Sequence, residues 1–135
     1  MDNKDVAKRW FSKGNNDLVA GDYIITMLNP PTDTICFHSQ QVAEKYLKGF
    51  LAFHDVETPK IHGIEELISM CVRIDSEFSK LYDIGSDLSG YAVEVRYSTE
   101  EDHEITIEEA QRALEIAEKF KKFVLNKLKL NYIHP

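Results

Sequence analysis

The sequence predicts an all-α fold: apolar residues recur at three- and four-residue spacing in five segments, no stretch keeps the period-two alternation of a strand beyond a few residues, and the internal prolines fall between the segments. At 135 residues and 43% hydrophobic content, the chain is long enough for one core, so a single domain over residues 1–135 is expected, built as an up-and-down bundle of four to five helices.

The first helical segment, about residues 2–21, places Ala7, Trp10, Phe11, Gly14 and Leu18 on one face and fades into Gly21 and the Asn29-Pro30-Pro31 stretch, where a double proline stops a helix. A second runs from a cap at Asp33 or Thr34 to about Asp55, with Cys36, Ala43, Leu47 and Phe50 facing inward and Glu44 and Lys48 spaced for an i,i+4 ion pair. Thr58-Pro59 closes the connection after it. A short third segment around residues 63–74 carries Ile64, Leu67, Ile68 and Cys71. The fourth, from Ser76 to about Arg96, lines up Phe78, Leu81, Tyr82, Gly85, Leu88, Ser89 and Ala92, and its small residues allow another helix to come close. The fifth opens on Thr106 as N-cap with Glu109 three residues on, a capping box, and continues through Ala110, Leu114, Ala117, Phe120, Val124 and Leu128. Acids at its front and lysines at its back complement the helix dipole.

Composition limits the function classes. The first residues pair Asp with Lys and contain no apolar signal core, and no apolar run reaches the roughly 18 residues that span a bilayer, so a cytoplasmic chain with no membrane partner is expected. Cys36 and Cys71 each sit among apolar neighbours and read as free core thiols. With no CxxC and no Cys/His zinc spacing, neither a metal nor a cofactor is expected. Glu100, Glu101, Asp102, His103 and Glu104 are consecutive, and consecutive residues in one loop rarely converge on one ion.

The net charge of −7 weighs against a phosphate-rich partner, because affinity for phosphate backbones comes chiefly from Lys and Arg. The acid is concentrated, however: residues 100–118 hold eight acids and one base, Arg112. The rest of the chain is neutral and free to present a basic patch.

Residues 36–48, CFHSQQVAEKYLK, are the most informative stretch. His38, Gln41, Lys45 and Lys48 recur at i, i+3, i+7 and i+10, one stripe carrying an imidazole, an amide and two ammonium groups, which suits phosphate and base edges. The competing reading is a solvated face on which Glu44 and the lysines pair with one another. His54 continues the row of Leu47 and Phe50 and is expected to be half-buried.

This run resembles the signature of the HEPN family (higher eukaryotes and prokaryotes nucleotide-binding), small helical domains whose second helix carries Cys-Phe-His-x-Gln-Gln-x-Ala-Glu-Lys. Three further features agree: Trp10 with Asp17-Leu18, the Pro59 to His62 turn, and Arg96-Tyr97 ending the fourth helix. The resemblance implies a helical bundle that is often a homodimer and often accompanies a minimal nucleotidyltransferase in toxin–antitoxin pairs. It implies nucleotide or RNA binding, with His38, Gln41, Lys45, Lys48, Arg96 and Tyr97 as the candidate contacts. Many family members are also metal-independent endoribonucleases that use Arg-x4-6-His, and here Arg96 is followed after six residues by His103. An imidazole can take the proton from a ribose 2′-OH while a guanidinium grips the phosphate. Tyr97 stands where nuclease members usually carry a polar residue, often Asn. Three readings therefore stand: binding, ribonuclease chemistry by Arg96 and His103, and a non-catalytic helical interaction module. A homodimer is expected from the row Gly85, Ser89, Ala92, which is aligned with Arg96 and would bring two copies together.

Overall fold

The structure, a computed structural model, describes residues 2–58, 60, 63–91 and 104–129. Among them are five α-helices and no strand: α1 (Asn3–Ile24), α2 (Thr32–Phe53), α3 (Ile64–Val72), α4 (Tyr82–Ser89) and α5 (Ile107–Leu128), with a 3₁₀ turn over Ser76–Leu81 leading into α4. The all-α expectation holds.

Helix α2 is the central element, buried along most of its length, and it packs against α1, α5, α3 and α4. Paired contacts give the directions. Along α1, Phe11 meets Tyr46, Asp17 meets His38 and Gly21 approaches His38, so α1 and α2 run antiparallel. Asn15 meets Lys121 and Gly21 meets Leu114, so α5 also runs against α1 and alongside α2.

Glycines bring α1 and α2 together. A Cβ at Gly14 would sit 2.8 Å from the Tyr46 ring, and a Cβ at Gly49 would collide with the ring of Phe11. Each helix thus takes the other's aromatic ring over a glycine, and the rings stack at 5.2 Å and 14°. Such a pair adds about 1 kcal/mol beyond its buried area. At the far end of α2, Phe50, Phe78 and Phe123 form an aromatic chain with centroids 4.3 and 4.9 Å apart, tying α2, the 3₁₀ turn and α5.

The predicted boundaries shift in three places. Helix α1 runs past Gly21 to Ile24, because Gly21 serves as a notch for the Leu114 side chain while its carbonyl still accepts from Ile25. Helix α2 starts earlier than an Asp33 or Thr34 cap would place it: Pro31 occupies the N-cap position without a side-chain bond, and Asp33 lies in the first turn, where its charge suits the dipole. The fourth segment is 3₁₀ over Ser76–Leu81, with Asp75 accepting from Glu77 N, and α-helical only from Tyr82. Its expected continuation to Arg96 lies outside the described residues. The capping box opening α5 is complete in both halves, Thr106 accepting from Glu109 N and Glu109 accepting from Thr106 N.

Two side-chain expectations also change. His54 is exposed, because α2 ends at Phe53 and the following residue leaves the helical row; its ring only tilts against Phe50 and Phe53. Trp10 is half-buried at the rim, with Lys48 Nζ 5.1 Å and Lys13 Nζ 5.6 Å from its centroid. Cys36 and Cys71 are buried and free.

Candidate functional site

Helical periodicity predicts that His38, Gln41, Lys45 and Lys48 share one side of α2. That side faces α1 as well as solvent, and each of the four side chains has a protein partner. Asp17 of α1, with 12% of its side chain exposed, takes His38 Nδ1 at 2.7 Å on one oxygen and Lys45 Nζ at 2.5 Å on the other. His38 and Lys45 keep about a quarter of their own surface open, 25% and 23%. With Nδ1 engaged on a carboxylate, the lone pair of the neutral ring falls on Nε2.

A second network runs along α2. Gln41 Nε2 donates to Gln40 Oε1 at 2.8 Å, Gln40 Nε2 donates to Glu44 Oε2 at 3.0 Å, and Lys48 Nζ donates to Glu44 Oε1 at 3.0 Å. Gln40, Glu44 and Lys48 are all buried, so the expected Glu44–Lys48 pair is an interior feature. A buried pair removed from water is held only when its remaining lone pairs are satisfied, and Gln40 contributes to that at Glu44. Lys48 then reaches the Trp10 ring, which links this network to α1.

Reading the stripe alone missed its counterparts. Asp17 lies 21 and 28 residues from His38 and Lys45, and periodicity says which residues share a face without saying what stands opposite. Gln40 and Glu44 were findable: together with Lys48 they place polar residues at i, i+4 and i+8 of a strongly apolar helix.

Arg96, Tyr97 and His103 lie outside the described residues, as do Ala92 and His62. The connection that carries the first three leaves from Tyr91 and returns at Glu104. Beside it, Tyr91 donates to Glu109 Oε2 at 3.2 Å. Burial, with Cys36 and Glu109 nearby, holds the Tyr91 hydroxyl well above the ordinary tyrosine range. Burial pushes both thiols, Cys36 and Cys71, up to about 12.

The small-residue row has a different use from the one expected. A Cβ at Gly85 would lie 2.9 Å from Ile68, 3.1 Å from Ile64 and 3.4 Å from Phe120, so this glycine admits α3 and α5 of its own chain. Ser89 donates to Glu65 Oε2 at 2.9 Å, again within the chain. Gly85 and Ser89 therefore give no argument for a second copy.

Charge is segregated by the topology. Because α5 runs against α1, the lysines at its back (Lys119, Lys121, Lys122, Lys127, Lys129) come to the same end of the bundle as Lys4, Lys8, Arg9 and Lys13 of α1, although Lys127 is paired there with Asp75 and Glu77 and Lys121 donates to Asn15. The acidic front of α5 lies at the opposite end, where Thr32 Oγ1 donates to the Ile105 carbonyl at 2.7 Å. No described helix is long and apolar enough to cross a membrane, and among the described residues no group of His, Cys, Asp and Glu is arranged to hold a metal.

Five packed helices with a polar seam between the first two define a small helical-bundle domain. The family model of the HEPN domain matches residues 7–128, most of the chain, and the protein belongs to the HEPN family. Comparison with curated proteins and with solved structures gave no match.

Proposed function

We propose that this chain is a nucleotide- or RNA-binding HEPN domain. The observation that carries the reading is the basic end of the bundle, where the lysine-rich halves of α1 and α5 meet, in a protein whose net charge is −7. A surface with its cations gathered at one end steers a polyanion there despite an overall negative charge. His38, Gln41, Lys45 and Lys48, with Arg96 and Tyr97, are the proposed contacts. Lys45 and His38 would exchange Asp17 for a phosphate oxygen or hold both. The homodimer, the cytoplasmic setting and a minimal nucleotidyltransferase partner of the toxin–antitoxin kind belong to this reading on the strength of the family alone.

The test is fluorescence anisotropy with a labelled single-stranded RNA. Wild type binds, and a folded Lys45→Ala/Lys48→Ala variant binds more weakly. A folded double variant that binds as well as wild type contradicts the stripe's role.

The spacing of Arg96 and His103 favours a second reading, metal-independent ribonuclease chemistry. Cleavage would persist in EDTA and leave 2′,3′-cyclic phosphate ends, and Arg96→Ala or His103→Ala would each abolish it. An inert wild type that gains cleavage on Tyr97→Asn would mark a nuclease scaffold turned to binding. Equal cleavage by wild type and His103→Ala removes His103 from the chemistry.

A further inference from the structure

Resting on the nucleotide-binding reading, we infer that Trp10 marks a site for one nucleotide with a guanine-type base, the base entering a cleft beside the indole and the phosphate lying on the cations of α1's outer face. The cleft holds about 330 Å³ and is lined by Asn3, Val6, Trp10, Ala52, Asp55 and Glu57 with their neighbours Val56 and Thr58. Its wall is apolar at Val6, Ala52 and Val56 and aromatic at Trp10, the lining a planar base needs for stacking. Its charged groups are of one kind: beside the amide of Asn3 and the hydroxyl of Thr58, the carboxylates of Asp55 and Glu57 can only accept hydrogen bonds when ionised. Neither carboxylate has an ion-pair partner among the described residues.

Guanine offers two adjacent N–H donors on its pairing edge, which one carboxylate can take together, whereas uracil offers a single donor there. The same carboxylates repel a phosphate, which fixes the orientation. The phosphate must point away from Asp55 and Glu57.

Cations stand near the indole. Lys13 Nζ lies 5.6 Å from the Trp10 centroid, and Lys8, Arg9, Ser12 and Lys13 line a second, open groove. Lys8, Arg9 and Lys13 are exposed, and none of them is in an ion pair among the described residues. The indole thus has both acceptors for a base and donors for a phosphate among its neighbours. Lys48, paired to Glu44 beneath the ring, connects this site to the α2 network.

Trp10 is the only tryptophan in the sequence, so its emission reports on this site alone. Guanosine monophosphate is expected to quench it saturably, and uridine monophosphate to bind at least about tenfold more weakly, the factor that loss of one bidentate pairing brings. The Arg9→Ala/Lys13→Ala variant weakens the monophosphate and leaves guanosine itself unchanged. Asp55→Asn weakens both; asparagine tolerates the left-handed backbone that Asp55 adopts (φ 59°), so the loop survives the exchange. A ribo-oligonucleotide ending in guanosine that quenches at lower concentration than the monophosphate assigns the site to an RNA end, and equal or weaker quenching assigns it to a free nucleotide. Nucleotide binding seen by calorimetry with no change in Trp10 emission and no effect of Arg9→Ala/Lys13→Ala overturns this site and leaves the nucleotide-binding reading standing. Calorimetry that detects neither mononucleotide nor RNA binding overturns both.

Discussion

At Asp17 two donors from α2 share one carboxylate of α1, and removing that group leaves an imidazole and an ammonium without their partner in a half-buried seam. Asp17→Ala is expected to lower unfolding stability by about 2 kcal/mol, read from urea denaturation. A loss under about 0.5 kcal/mol, the range of ordinary surface changes, would show that the seam is held by packing alone. The buried thiols set a pH dependence. Cys36 and Cys71 have their folded pKa raised from an ordinary value of 9.0 to about 12, so the stability they contribute is fully present below about 9 and is lost as pH rises towards about 12. Denaturation midpoints should therefore fall through that alkaline window, and replacing both cysteines by alanine should flatten the fall. Thiol reagents at neutral pH should label neither residue until the chain is unfolded. That both cysteines are interior was legible from their apolar neighbours. That His38 and Lys45 are anchored was not, because their partner lies on another helix.

Between helices, glycine placement decides how closely elements approach. Gly49→Ala drives a methyl into the Phe11 ring, which the stack on Tyr46 holds in place, and should cost about 1 to 3 kcal/mol. Gly90 has open space around its Cβ position and an ordinary right-handed backbone at φ −74°, so Gly90→Ala should stabilise the protein by a few tenths to about 1 kcal/mol through the unfolded chain. Thermal unfolding of the two variants should move in opposite directions; equal shifts would contradict the packing described. Apolar spacing was enough to find the helices, and Thr106 with Glu109 marked the start of α5 correctly. The start of α2 was misjudged. Thr32 spends its hydroxyl on the Ile105 carbonyl at the start of α5, a contact 73 residues away that local sequence does not encode.

Taken whole, the molecule gathers acids at the front of α5 and most of the lysines of α1 and α5 where α1 begins and α5 ends, the latter beside Asp5, Asp55, Glu57, Asp75 and Glu77. The sequence showed where the acids cluster, but only the antiparallel packing of α5 on α1 shows that two lysine-rich runs more than a hundred residues apart reach the same end. The homodimer, which rests on the family alone, is also a whole-molecule prediction: sedimentation at micromolar concentration should show a concentration-dependent dimer, and a strictly monomeric species would rule it out. The central claim is that this end of the bundle takes up a phosphate-bearing ligand. Its most direct measurement is the affinity of wild type for a single-stranded RNA across a series of salt concentrations. The logarithm of the affinity should fall linearly with the logarithm of salt, with a shallower slope in the Arg9→Ala/Lys13→Ala variant because fewer counterions are released. No binding at low salt, or binding indifferent to salt, would contradict it.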